Sequence, residues 1–204
     1  MSTVAKSAGT DFPKAPPGLH RAVCFQVIDL GHQSIVWQGR EKWVPKVLIS
    51  WELTDELMDD GRPFAVSQRF TLSLAETSML RPMLESWRGR NFTEEELKGF
   101  DVQKVLGAPC MLNVVHNTKD GKTYANVGAV TPVPRQIEKP KATNKLIGFS
   151  LDGGNISDLP EWVQGVIQKS REFQSSGGSF VQEYEDSENP APRKIEDLND
   201  DIPF

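Results

Sequence analysis

The chain has 204 residues, 38% of them hydrophobic, and a formal net charge of −5. That length allows one domain with appendages or two small ones, and the low apolar share means that a sizeable part is not core. No apolar stretch approaches the ~18 residues of a membrane span, and Met1-Ser2-Thr3-Val4-Ala5-Lys6 lacks the apolar core of a signal peptide, so a soluble, cytoplasmic protein is expected.

Residues 1–18 hold Pro13, Pro16 and Pro17 among small residues and are expected to form a flexible N-terminal arm. From Leu19 the pattern is β: Val23, Phe25 and Val27 alternate with Cys24, Gln26 and Ile28, and Gly31 offers a bend or bulge before Ser34–Trp37. Gln38-Gly39-Arg40-Glu41 supplies a turn. A second strand puts Val47, Ile49, Trp51 and Leu53 on one face. Asp59-Asp60-Gly61 turns the chain again, and a third strand runs from Phe64 to Leu72. Cys24 and Cys110 lie in strand-like runs without CxxC spacing, which reads as reduced core cysteines.

Ser73 and Glu76 have capping-box spacing, and Leu80, Leu84 and Trp87 form an i, i+4, i+7 stripe, so a helix follows, its first turn limited by Pro82. Thr93 and Glu96 repeat the box, Asp101 is a further N-cap and Gly107 a stop. Pro109 opens a fourth strand, and Lys119-Asp120-Gly121-Lys122 is a hairpin signal leading into a fifth, Tyr124–Val130. Three strands, a helix and then a two-strand hairpin is the order of an OB-fold, a five-stranded barrel that commonly binds oligonucleotides. The barrel is assigned to residues 19–134.

Residues 135–156 read as a linker, with a Pro/Lys-containing stretch at Glu138–Lys145 and a break at Asp152-Gly153-Gly154. Residues 157–174 should be one C-terminal helix: Pro160 fits a first turn, and Trp162, Val163, Val166 and Ile167 share a face able to pack on the barrel or on a second subunit. The remainder, 175–204, begins with Ser175-Ser176-Gly177-Gly178-Ser179 and is rich in acids, which reads as a disordered acidic tail.

Charge follows the same division. Residues 1–149 carry 19 Lys and Arg against 16 Asp and Glu, and residues 150–204 carry 4 against 12. A mildly basic body with an acidic tail suits nucleic-acid binding by one part and protein binding by the other. The tail ends in Asp200-Asp201-Ile202-Pro203-Phe204. An acidic run alone fits a solubilising terminus. Phe204, with an apolar ring and an α-carboxylate on one residue, points instead to docking in a partner's pocket where an Arg or Lys takes the carboxylate.

This ending resembles the tail of bacterial single-stranded DNA-binding proteins. The body is similar to a family of bacteriophage single-stranded DNA-binding proteins over about residues 19–134. The likeness is carried by Lys46-Val47-Leu48-Ile49-Ser50-Trp51-Glu52-Leu53, Arg69-Phe70-Thr71-Leu72-Ser73-Leu74, Glu85-Ser86-Trp87-Arg88-Gly89-Arg90 and Gly121-Lys122-Thr123-Tyr124-Ala125-Asn126. The resemblance implies an OB-fold, sequence-tolerant binding of single strands in replication, recombination or repair, and recruitment of helicase, primase, polymerase or nuclease by Asp200, Asp201, Ile202, Pro203 and Phe204. The bacterial tetramer does not carry over.

Sequence-tolerant binding needs cations along the backbone and aromatic faces for bases. Trp37, Arg40, Lys42, Trp43 and Lys46 interleave both kinds around the first hairpin. They are expected to bind the strand, the alternative being that Trp37 and Trp43 form a cross-strand pair. On the third strand Phe70 reads as core and Arg69 as a phosphate ligand, while Trp51 and Trp87 read as core. Arg88 and Arg90 could hold phosphate or cap helix carbonyls. Lys119, Lys122 and Tyr124 belong to the last hairpin, beside the usual groove, where lysines are also commonly just solvated.

His20, His32 and His116 lack metal-site spacing, no P-loop is present, and Asp29, Asp55, Glu76 and Glu85 form no catalytic set. Neither an enzyme nor a cofactor or metal is expected. The competing readings are a protein-binding OB-fold adaptor and an RNA-binding OB module.

Overall fold

The computed structural model describes residues 13–176, and the tail residues Asp200, Asp201, Ile202, Pro203 and Phe204 lie outside them. The described part is mainly β, built on an antiparallel sheet. Its long first strand, β1 (Gly18–Trp37), pairs with β2 (Arg40–Leu57) through a two-residue turn in which Gln38 and Gly39 both have positive φ. That is the turn geometry whose twist matches paired strands. β3 (Pro63–Thr71) adds to β2; β4 (Pro109–Lys119) adds to β1; and β5 (Lys122–Thr131) adds to β4 through a second such turn, Asp120-Gly121. The path β3-β2-β1-β4-β5 is open, with β3 and β5 at its ends. Between those ends, Gln68 and Phe70 of β3 and Val127–Val130 of β5 line a cleft of about 290 Å³ together with Met83 and Ser86.

Alternation along β2 sends Val47, Ile49, Trp51 and Leu53 into one apolar cluster, which also holds Val66, Phe70, Leu112, Val114 and Val130. α1 (Leu80–Arg88) covers it with Leu80, Leu84 and Trp87. The Trp51 and Trp87 rings lie 5.7 Å apart, and Trp87 Nε1 donates to the Pro109 carbonyl at 3.0 Å, which ties the helix to the start of β4. α1 starts at Leu80 and not at the Ser73–Glu76 box. Starting there would have put Pro82 in the helix interior, where its ring clashes with the carbonyl four residues back; starting at Leu80 places it in the first turn. The second box is present: α2 (Glu94–Lys98) is capped by Thr93 and Glu96 reciprocally, and Asp101 caps a 3-10 turn over Val102–Val105.

Residues 13–17 are not loose. Ala15 is buried in the core cluster, the His116 ring meets its carbonyl at 2.8 Å, and the His20 ring meets the Pro16 carbonyl at 3.0 Å.

The other face of the sheet carries a strap formed by residues 143–176. Its first anchor is Glu52 on β2, fully buried, whose carboxylate accepts from the backbone N–H groups of Thr143 and Asn144 and from the Asn144 side chain. The segment read as a linker then forms β6 (Ile147–Phe149), parallel to β1. The single helix expected over 157–174 is instead a 3-10 turn (Ile156–Asp158), α3 (Glu161–Ile167) and α4 (Arg171–Ser175). The break comes where buried Ser170 turns its hydroxyl onto the Phe173 N–H and caps α4. Val163 and Ile167 of α3 pack on Ile28, Leu30 and Leu48 of the sheet, each contributing roughly 1.5–3 kcal/mol of transfer free energy. Of the two surfaces open to the helix, it is therefore the chain's own sheet that it covers.

Gly31 is where strap and sheet come closest. β1 bulges between Asp29 and Gly31, and Gly31 has φ +69°. A Cβ there would lie 2.6 Å from Glu172 Oε2 and 2.8 Å from Leu151 Cδ1. Glu172 in turn holds His32 by both its backbone N–H, at 2.9 Å, and its ring Nδ1.

Candidate nucleic-acid interface

The hairpin of β1 and β2 sorts its side chains by register. Trp37 lies opposite Arg40, Ile35 opposite Lys42, and Ser34 opposite Trp43. Residues directly opposite share a face, so Trp37, Ile35, Arg40 and Lys42 are on one side and Trp43 is on the other. The Trp37–Trp43 cross-strand pair does not form. Further along, Lys46 lies opposite Thr71 of β3 and Leu48 opposite Arg69, which places Lys46 and Arg69 on the Lys42 side. Phe70 points the other way into the core, as its parity requires.

These residues meet in a cleft of about 380 Å³, lined by Trp37, Lys42, Lys46, Arg69 and Thr71 on the sheet and by Ser73, Ala75, Thr77, Ser78 and Met79 from the loop before α1. Trp37 is 63% exposed and Met79 69%, so the rim offers two large apolar groups to solvent. Among the described residues no acid lines the cleft. Lys46 Nζ donates to the Thr71 hydroxyl at 2.8 Å, and desolvation lowers its pKa below the ordinary lysine value. Among the described residues, Arg40, Lys42, Lys46 and Arg69 pair with no carboxylate. Other cations do: Arg21 with Asp55, Arg62 with Asp60, Arg81 with Glu85 and Lys98 with Glu95.

Arg88 and Arg90 lie elsewhere. The Arg88 side chain is buried, its guanidinium bound to Glu96 and set over the Phe92 and Phe100 rings at 4.6 and 5.4 Å. Arg90 holds the same carboxylate through two nitrogens at 2.9 Å. Arg90, then Arg88, then the Thr93 N–H keep the Glu96 carboxyl far below the usual carboxylate range. Both arginines brace the α1–α2 corner by holding Glu96, and among the described residues neither caps an α1 carbonyl. Lys119, Lys122 and Tyr124 sit on the β4–β5 hairpin, Tyr124 half exposed, and are not part of the cleft lining.

Sequence reasoning missed Ser73, Thr77, Ser78 and Met79, because it placed this stretch in a helix. Pro82, already read as limiting the first turn, was the signal that the helix starts later. It also missed that α3 reaches this region: Arg69 lies over the Trp162 ring, 5.8 Å from its centroid.

Among the described residues no helix is long and apolar enough to cross a membrane. No protein-family model matches the chain, and neither does any curated protein.

Proposed function

We propose that the protein binds single-stranded DNA without strong sequence preference, with the sheet acting as an OB-fold and the hairpin–β3 cleft as the strand-binding groove. More particularly, it would coat exposed strands in replication, recombination or repair, as the phage proteins its sequence resembles are expected to do. The observation that carries this reading is the meeting of Lys42, Lys46 and Arg69, none paired with an acid among the described residues, beside an exposed Trp37. Phosphates would take the cations and a base would stack on the indole, a contact worth on the order of 1–3 kcal/mol. Arg40 extends the cationic row toward the hairpin tip, and Lys119, Lys122 and Tyr124 supply a second, more distant contact. Trp43, on the other face of the hairpin, takes no part. The acidic segment with Ile202-Pro203-Phe204 would recruit helicase, primase, polymerase or nuclease.

Fluorescence anisotropy with labelled poly(dT), poly(rU) and duplex of equal length, at low and moderate salt, tests the reading. Salt-sensitive binding that favours poly(dT) is the expected result. Absence of binding to all three refutes it and leaves an adaptor role in front, and preference for poly(rU) moves the reading to RNA.

A further inference from the structure

We infer that the strap extends the binding surface past the cleft, with Trp162 of α3 as a second base-stacking residue next to Arg69. The inference rests on the strand-binding function proposed above and adds to it a residue outside the sheet.

Three features carry it. First, α3 is a fixed platform: Val163 and Ile167 are fully buried against the sheet, whereas the Trp162 ring, one residue away, is 50% exposed. A tryptophan serving only to pack would be enclosed with them. Second, the ring's contact is Arg69, which itself lines the cleft. The stripe from Trp37 through Lys42, Lys46 and Arg69 therefore continues onto α3 without passing an acid on the sheet. Third, arginine on indole is a contact that exchanges readily on this kind of surface. Arg69 can turn to a phosphate, and the part of the indole it covers then becomes available to a base. Glu161, exposed beside Trp162, makes this end of the path poor in positive charge. The contact there is consequently aromatic and not ionic.

The test uses the full chain and two labelled dT oligomers, of about four and about sixteen nucleotides, near the ends of the site-size range for such folds. The short one should be satisfied by the cleft and the long one should reach α3. Trp162→Ala is expected to weaken the long oligomer about five- to 150-fold, the value of one stacked base. It should change the short one less than about twofold and leave the salt slope of the long one unaltered. Trp162→Phe keeps an aromatic face and should bind the long oligomer within about threefold of wild type. It should also lack part of the tryptophan quenching that the long oligomer produces, which reads the contact directly even if the alanine variant loosens the strap. Equal loss for both oligomers, or none for either, overturns the inference and leaves the cleft standing. Failure of wild type to bind any oligomer refutes the strand-binding function itself, and this inference with it.

Discussion

Lys46 offers the sharpest test of the groove. Its ammonium is partly desolvated, donates to the Thr71 hydroxyl at 2.8 Å and meets no carboxylate among the described residues. Replacing it by methionine removes one cation and keeps most of the apolar stem. If Lys46 neutralises one phosphate, the slope of log K against log salt should become shallower by about 0.7. At about 0.1 M salt this corresponds to a loss of 10^0.7, about fivefold in affinity, which shrinks toward nothing near about 1 M. Stability should move the other way. The folded-state pKa is lowered, so the unfolded chain binds the proton more strongly, and protonation at neutral pH works against the fold. Wild-type stability contributed by this group rises as pH climbs from the lowered folded value to the ordinary lysine value. Lys46→Met removes that pH dependence and should leave the protein as stable or slightly more so. Anisotropy titrations at four or five salt concentrations, with thermal melts at neutral and alkaline pH, would measure both. An unchanged salt slope, or an affinity loss of equal size at every salt concentration, would refute the assignment of Lys46 to a phosphate.

The other expectations follow from neighbouring geometry. Trp37→Ala should weaken poly(dT) binding by about 1–3 kcal/mol while Trp43→Ala changes it by less than about 0.5, and equal effects would contradict the division of the hairpin's faces. Glu52→Leu leaves the N–H groups of Thr143 and Asn144 without their acceptor, so it should cost about 1–3 kcal/mol and speed amide exchange through the strap, as denaturant melts and exchange mass spectrometry would show. Gly31→Ala meets both the positive φ and the close approach of Glu172 and Leu151, and should cost about 2 kcal/mol or more by the same melts. The Glu96 carboxyl, lowered by Arg90 and Arg88, contributes stability that is fully present above the ordinary glutamate pKa and lost as pH falls through its depressed folded value; Glu96→Gln should flatten the acid side of the stability profile between those two values.

Where the pattern was local, the fold was legible in the sequence. Period-two alternation in Val47–Leu53 identified the buried row of β2, Gly31 marked the bulge, and Asp120-Gly121 marked the hairpin. The strap was not legible, because its anchors are long-range. A glutamate in the middle of a strand gives no hint that residues 143 and 144 will cover it, and Ile147–Phe149 is too short to read as a strand before its partner is known. The site was half legible. The interleaved Trp37, Arg40, Lys42, Trp43 and Lys46 pointed to the hairpin that lines the cleft, but composition could not say that parity separates Trp43 from the others. Nor could it say that Arg88, two residues from Arg90 and equally basic, points inward between two phenylalanines. A cation's availability depends on which carboxylate reaches it, and Glu96 reaches both of those.

One row of side chains on β2 explains why the open part of the sheet is basic. On the strap face, alternate positions run from Glu52 through Ser50 and Leu48 to Lys46, Val44, Lys42 and Arg40. Glu52 is fully buried beneath residues 143–144, Ser50 is closed off by hydrogen bonds with Gln26 and Ser67, and Leu48 lies under α3. What remains uncovered begins at Lys46. The strap therefore does more than stabilise the sheet: it takes the Glu52 carboxylate out of solvent and leaves Lys46 and Lys42 facing the cleft. A face carrying both would repel at one end the strand it attracted at the other, because the interaction of exposed charges is felt over about 8–10 Å at ordinary salt. Loosening the strap should accordingly weaken strand binding as well as stability. Glu52→Gln, which removes the charge but keeps an acceptor, should lower stability while leaving affinity for poly(dT) nearly intact. Loss of affinity in this variant while the strap remains protected from exchange would break the proposed link.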